Sequence, residues 1–279
     1  MTTMQIRDAS LYVKVVGNGY PLVLMHGGPG LDHTSLLPLQ PCADRYTMVF
    51  YDQRCNGRSD GIEVTSMTWD NLTADAEALR QALGFEKWAV LGHSFGGMVA
   101  LEYALRYPDR VSHLILMDTC GDARWVQDNA PQLLARRGFN AAAVEAARRF
   151  YNGQLTPAEF FPITMKFSSA YHYPHGPIKS LQLLVSNFHT KFRPEPQIFG
   201  FSQLYTGWNV MDRLSKIKVP TLVMAGRYDF LFPPESQAIL ADRIPGARLE
   251  LIEHAGHNPP TEQTEECIEV IRRFMDGRE

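Results

Sequence analysis

Ser94 lies in Gly92-His93-Ser94-Phe95-Gly96-Gly97, a G-x-S-x-G pattern set between an apolar run, Trp88 to Leu91, and a helical pattern, Met98 to Tyr107. On a tight turn from strand to helix, a serine hydroxyl is pushed out above the sheet edge, where it can attack a carbonyl carbon. Such a turn strains the nucleophile's backbone and crowds the neighbouring chain, so Gly92 and Gly96 are read as places where a Cβ would collide. The short pattern also describes ordinary small-residue turns. The strand before it and the helix after it are what point to a nucleophile.

A serine needs a base to take its proton and a third group to fix that base. In this kind of strand and helix alternation the acid comes later in the chain and the histidine last, each just past a strand. Asp229 follows Thr221 to Ala225 through Gly226-Arg227-Tyr228, and His257 follows Arg248 to Ile252 through Glu253-His254-Ala255-Gly256. Asp229 competes with a turn or helix-cap role before Pro233-Pro234 and with Asp118, which ends an earlier strand. His254 is the rival base. His257 is preferred because Asn258-Pro259-Pro260 and a helix follow it, placing it on a loop that reaches over the sheet edge. The amide of Phe95, and that of Gly28 in the loop His26-Gly27-Gly28-Pro29-Gly30, are expected to form a two-donor oxyanion hole. His26 reads as a residue that fixes this loop by hydrogen bonding. His33, His113, His172, His175 and His189 show no metal-ligand spacing, and no glycine-rich loop follows a phosphate or dinucleotide pattern. Neither a metal nor a cofactor is expected.

The elements that must position these groups are legible as periodicities. Gln5 to Val16 reads as an edge hairpin turning at Asp8-Ala9-Ser10, and Pro21 to Met25 and Tyr46 to Tyr51 read as buried strands. Thr68 reads as the N-cap of a helix that Gly84 stops. Leu114 to Met117, Thr221 to Ala225 and Arg248 to Ile252 are further strands, with helices over Ser236 to Ile244 and Glu262 to Phe274. This alternation predicts an α/β fold with a mostly parallel sheet covered by helices on both faces. Between residues 122 and 209 the pattern changes to short helices broken by prolines, including the capping box Thr156-Pro157-Ala158-Glu159. Residues 1–121 and 210–279 are therefore read as the core domain and 122–209 as an inserted helical cap. The cap's aromatic residues, Phe188 among them, are read mainly as packing, with some left to line a pocket.

The 279 residues carry a net charge of −3, 45% hydrophobic residues and no Lys/Arg block. This gives no reason to expect nucleic acid or an anionic membrane as partner and points to a small-molecule or short-peptide substrate. No run is long enough to span a bilayer and the N-terminus has no signal-type apolar core, so a cytoplasmic protein is expected. Cys42, Cys55, Cys120 and Cys267 lie far apart and are read as free thiols.

Four segments carry a resemblance: His26-Gly27-Gly28-Pro29-Gly30, Asp52-Gln53-Arg54 followed by Gly57-Arg58-Ser59, the Ser94 turn, and Gly226-Arg227-Tyr228-Asp229. Together they resemble the α/β-hydrolases, and more narrowly the proline iminopeptidase (prolyl aminopeptidase) group. The resemblance implies the α/β-hydrolase fold, a Ser94, Asp229, His257 triad and oxyanion roles for Gly28 and Phe95. Cys55 departs from the family's usual glycine and Phe95 from its usual tryptophan or tyrosine. The cap lacks the recognisable stretch carrying a glutamate for the substrate's amino group. Tricorn-associated members have a second glutamate directly after the triad aspartate, where this chain has Phe230, leaving Glu159 and Glu195 as the cap carboxylates to consider for substrate binding. The leading expectation is a cofactor-free serine hydrolase acting on an ester, lactone or amide. Prolyl aminopeptidase activity is the alternative, and a non-catalytic receptor on the same fold is the rival from another class.

Overall fold

The computed structural model describes residues 2–61, 63–176 and 190–277. Its strands are β1 (Thr2–Ile6), β2 (Ala9–Val16), β3 (Tyr20–Met25), β4 (Tyr46–Tyr51), β5 (Trp88–His93), β6 (Val111–Met117), β7 (Thr221–Gly226) and β8 (Arg248–Ile252). They form one sheet in the order β1-β2-β4-β3-β5-β6-β7-β8, antiparallel as far as the β2–β4 pair and parallel from there to β8. Successive residues of a strand face opposite ways, and β3 shows the result. Leu22 and Leu24 pack with Cys267, Ile271 and Phe274, while Val23 and Met25 pack on the other face with Leu72, Val99 and Leu101. Burial on both faces is why the inner strands read as unbroken apolar runs.

Helix α1 (Trp69–Ala82) starts where Thr68 Oγ1 accepts the Asn71 amide (3.1 Å) and ends before Gly84 at φ +76°. Helix α2 (Phe95–Arg106) leaves the end of β5 through Ser94. Between β6 and β7 run α3 (Arg124–Arg136), α4 (Ala141–Tyr151), α5 (Phe160–Thr164) and α6 (Pro194–Phe199), and the ends of this segment meet in a bridge between Asp122 and Asn209. The last helices are α7 (Pro234–Arg243), α8 (Pro259–Glu262) and α9 (Thr264–Met275). Among the described residues no helix is long and apolar enough to cross a membrane.

Several boundaries differ from the sequence reading. The edge hairpin turns at Arg7-Asp8, because Ala9 is a buried strand residue opposite Ile6 and Asp8 is held by Arg54 (2.5 Å). Strand β6 begins at Val111, which pairs with Trp88 across an irregularity in register. The C-terminal helix is two helices, broken at Gln263 (φ −135°, ψ 62°), since Glu262 is turned inward. Helix α3 continues through Pro131, so that proline does not break its helix. All four cysteines are free and buried, and Cys55, at φ 65°, keeps the backbone conformation that suits a glycine.

A Cβ on Gly96 would lie 2.0 Å from the Met25 carbonyl oxygen at the end of β3. Gly96→Ala should therefore lower stability by about 3 kcal/mol or more, read as a melting temperature lower by roughly 6 °C or more. An unchanged melting curve would show that α2 does not press this closely on β3.

Candidate active site

Ser94 sits at φ 53°, ψ −119°, outside the regions that L-residues favour. The conformation is held from several sides. Its amide donates to the Met117 carbonyl (2.9 Å), and its carbonyl accepts from Gly97 N (2.9 Å) and Thr119 Oγ1 (2.7 Å). A Cβ on Gly92 would lie 2.3 Å from the Gly96 carbonyl oxygen and one on Gly96 2.0 Å from that of Met25, which is why both flanking positions need glycine.

The turn aims Ser94 Oγ at His257 Nε2, 3.0 Å away, and His257 Nδ1 lies 2.8 Å from Asp229 Oδ2. An ionised carboxylate only accepts, so the ring proton belongs on Nδ1, leaving Nε2 to accept the serine hydroxyl. Asp229 is wholly buried, and its Oδ1 accepts the Leu231 amide (2.8 Å). Burial works to raise its carboxyl, but the facing His257, the Leu231 bond and contact with Asp118 outweigh it and hold the group below the usual carboxylate range.

Three elements fix the loop that carries His257. Its amide donates to the Tyr171 carbonyl of the inserted segment (2.7 Å), and its carbonyl accepts from His93 Nε2 on β5 (2.7 Å). From α8, the buried Glu262 accepts the Gly256 amide through Oε1 (3.0 Å), and the Tyr173 amide (2.7 Å) and His175 Nε2 (3.0 Å) through Oε2. Burial first, and then the nearby His257, push the His93 ring down to about 3. His93 is therefore a neutral donor.

The glycine loop after β3 passes beside the serine, since a Cβ on Gly27 would lie 3.3 Å from Ser94 Cβ. His26 fixes it: Nε2 accepts the Gln53 amide (3.0 Å), Nδ1 lies 2.7 Å from the Gly27 carbonyl, and Gln53 Nε2 donates to the His26 carbonyl (2.9 Å). Gly28 takes φ +121°, a conformation that favours glycine. Among the described residues, no protein acceptor takes the amide of Gly28 or that of Phe95, the first of α2.

Rings wall the triad. Tyr171 packs edge-on against His257 (5.4 Å) and Phe230 (5.1 Å), Phe232 lies 5.7 Å from His257, and Phe95 packs with Tyr205 (6.1 Å). Glu159 is placed elsewhere, in an ion pair with Arg149 (2.7 Å) and in the predicted capping box with Thr156 (2.9 Å). Glu195 is exposed in the first turn of α6. His254 packs against Tyr173 (5.2 Å) and makes no bond to Ser94. His189 and Phe188 lie outside the described residues. Sequence reasoning missed His93, Tyr171 and Glu262. Only the position of His93 inside the G-x-S-x-G offered a signal.

Among the described residues one group of potential metal-binding side chains converges, Asp118, Asp229 and His257, with one ligand atom from each within 4.8 Å of the others. The hydrogen bonds to Asp229 and Ser94 already engage both His257 nitrogens.

With this geometry, the chain belongs to the alpha/beta hydrolase fold family, whose model matches residues 20–263. It is similar to the proline iminopeptidase of Saccharolobus solfataricus, with 29% identity over 270 residues, 94% of this chain and 87% of the relative. It is equally similar to that of Lactobacillus crispatus, with 29% identity covering 95% and 94% of the two chains. Of the solved structures, the proline iminopeptidase of Mycobacterium smegmatis matches with TM-score 0.77 at 25% identity, covering 99% of this chain and 97% of that one. A thermophilic esterase from Thermogutta terrifontis matches with TM-score 0.71 at 26% identity and the same coverage.

A histidine that binds its proton near 6.5 when unfolded and near 3 when folded contributes stability that is complete above 6.5 and is lost as pH falls from 6.5 towards 3. The melting temperature should therefore fall more steeply across this window in the wild type than in His93→Gln, whose amide can still donate to His257. Parallel curves would contradict a neutral, buried His93.

Proposed function

We propose that the protein is a cofactor-free serine hydrolase that cleaves a carboxylic ester, lactone or amide of a small, largely apolar acyl substrate. The observation that carries this reading is the hydrogen-bonded chain from Ser94 Oγ through His257 to the buried Asp229. In the reaction, Oγ attacks the carbonyl carbon while His257 Nε2 takes its proton. The Gly28 and Phe95 amides receive the developing oxyanion, each such donor contributing roughly a hundredfold to a thousandfold in rate. His257 then gives the proton to the leaving oxygen or nitrogen as its bond to the acyl carbon breaks. Water repeats the cycle on the acyl-enzyme and regenerates Ser94.

Prolyl aminopeptidase activity is the second reading, favoured by the relatives' names. An unpaired ammonium inside a partly dry site costs several kcal/mol, so such an enzyme needs a carboxylate there. Residues 122–209 contain five acids, Asp122, Asp128, Glu145, Glu159 and Glu195. Asp122 pairs with Arg124 (2.9 Å), Glu145 with Arg148 (2.6 Å) and Glu159 with Arg149 (2.7 Å), while Asp128 and Glu195 are exposed. Phe230, buried beside Tyr171, offers an apolar wall after the triad acid. These observations support a neutral acyl group.

Ser94→Ala should lower ester hydrolysis by at least about a thousandfold and abolish fluorophosphonate labelling, leaving the fold intact. Retained turnover in a pure sample would refute the nucleophile. An N-acetylated proline ester should be cleaved at least as well as the free-amine ester; a strong preference for the free amine would establish the aminopeptidase reading.

A further inference from the structure

Asp118 is the acid that the triad leaves unused, and its surroundings are unusual for a carboxylate. It follows β6 at φ 45°, a conformation rare for a residue with a side chain, and is wholly buried. Its amide donates to the Met224 carbonyl (3.0 Å), and its Oδ1 accepts the Gly226 amide (2.9 Å). The Gly226 carbonyl in turn accepts the Asp229 amide (3.0 Å), so both acids are anchored on the same end of β7. One carboxyl oxygen from each lies within 4.8 Å of the other and of a His257 nitrogen. Asp118 Oδ2 is buried and has no hydrogen-bond partner among the described residues. Two carboxylates sharing a dry site do not both ionise.

We propose that Asp118 is a positioning residue for the triad: a buried carboxylic acid that keeps its proton and donates it from Oδ2 to the Asp229 carboxylate. The inference rests on reading Asp229 as the triad acid. With that proton, the orphaned oxygen gains a partner and Asp229 gains a third donor beside His257 and Leu231. Asp229 is then fixed without a second negative charge next to His257. The groups facing Asp118 agree. Asp229 and Glu262 are acidic, and burial keeps the Cys267 thiol of α9 protonated. His93, on the neighbouring β5, is neutral, and Arg137, which acts on Asp229, has its guanidinium directed at the Tyr228 carbonyl (2.5 Å). Burial, followed by the charge of Asp229, pushes the Asp118 carboxyl well above the usual carboxylate range.

The test compares the wild type with Asp118→Asn, which keeps a donor, and Asp118→Ala, which does not. A folded state that holds a proton the unfolded chain releases near 3.8 loses stability as pH rises above 3.8, and asparagine carries no such penalty. The melting temperature of D118N minus that of the wild type should therefore grow as pH rises above about 4. Infrared spectra at neutral pH should contain a protonated carboxylic carbonyl band that D118N removes. In ester hydrolysis, D118N should stay within about threefold of the wild type with the acid limb of kcat/KM unmoved. D118A should lose about tenfold or more in kcat with KM little changed. A constant melting difference without the carbonyl band, or an acid limb displaced by about one unit or more in D118N, would show an ionised Asp118 and overturn the proposal. A folded D118A with wild-type kcat would show that Asp118 positions nothing. The infrared and melting measurements on D118N do not depend on turnover or on the folding of D118A. If Ser94→Ala kept its activity, the hydrolase reading would fail while the carbonyl band still decided the state of Asp118.

Discussion

The structure depends on one constraint, the close approach of α2 to the sheet that Ser94 must bridge in a single residue. Gly92 and Gly96 touch backbone where a side chain would stand, and the Met117 carbonyl and Thr119 hydroxyl hold the strained turn from β6. The packing of β3, β5 and β6 against α2 offsets the cost of the conformation, which is of the order of 1–3 kcal/mol. The result is a serine hydroxyl directed at His257 Nε2, while the Gly28 and Phe95 amides have no protein acceptor among the described residues.

The second half of the site comes from elsewhere. Asp229 and His257 lie after β7 and β8, and their loops are held by groups remote in sequence. His93 and Tyr171 bind the backbone of His257, and Glu262 ties its loop to Tyr173 and His175. The inserted segment is therefore bonded directly to the base's loop as well as supplying rings to the site. A neutral His93 serves this arrangement, since it donates to the His257 carbonyl without placing a positive charge next to that ring.

Much of this was legible in the sequence because its causes are local. The G-x-S-x-G turn, the glycine loop after β3, the Thr68 cap and the apolar runs each follow from backbone sterics or from burial on two faces. The order of Ser94, Asp229 and His257 follows from topology. The roles of Glu262 and Tyr171 were not legible, because they arise from contacts between segments far apart in the chain and no local pattern encodes them. Glu262 looked like an ordinary first residue of a helix, and its burial is what splits that helix at Gln263. Glu159 shows the converse. The Thr156–Glu159 bonds of the capping box form, although the helix itself starts only at Phe160, and with its Arg149 ion pair they commit the carboxylate to the surface of the inserted segment.

The most direct test of this account is a crystal structure of the protein after reaction with an alkyl phosphonate. The account places the phosphorus on Ser94 Oγ, with the phosphonyl oxygen about 2.7–3.1 Å from both the Gly28 and Phe95 amides and His257 within hydrogen-bonding distance of the leaving-group side. An adduct on another residue, or one on Ser94 whose oxygen meets neither amide, would contradict it.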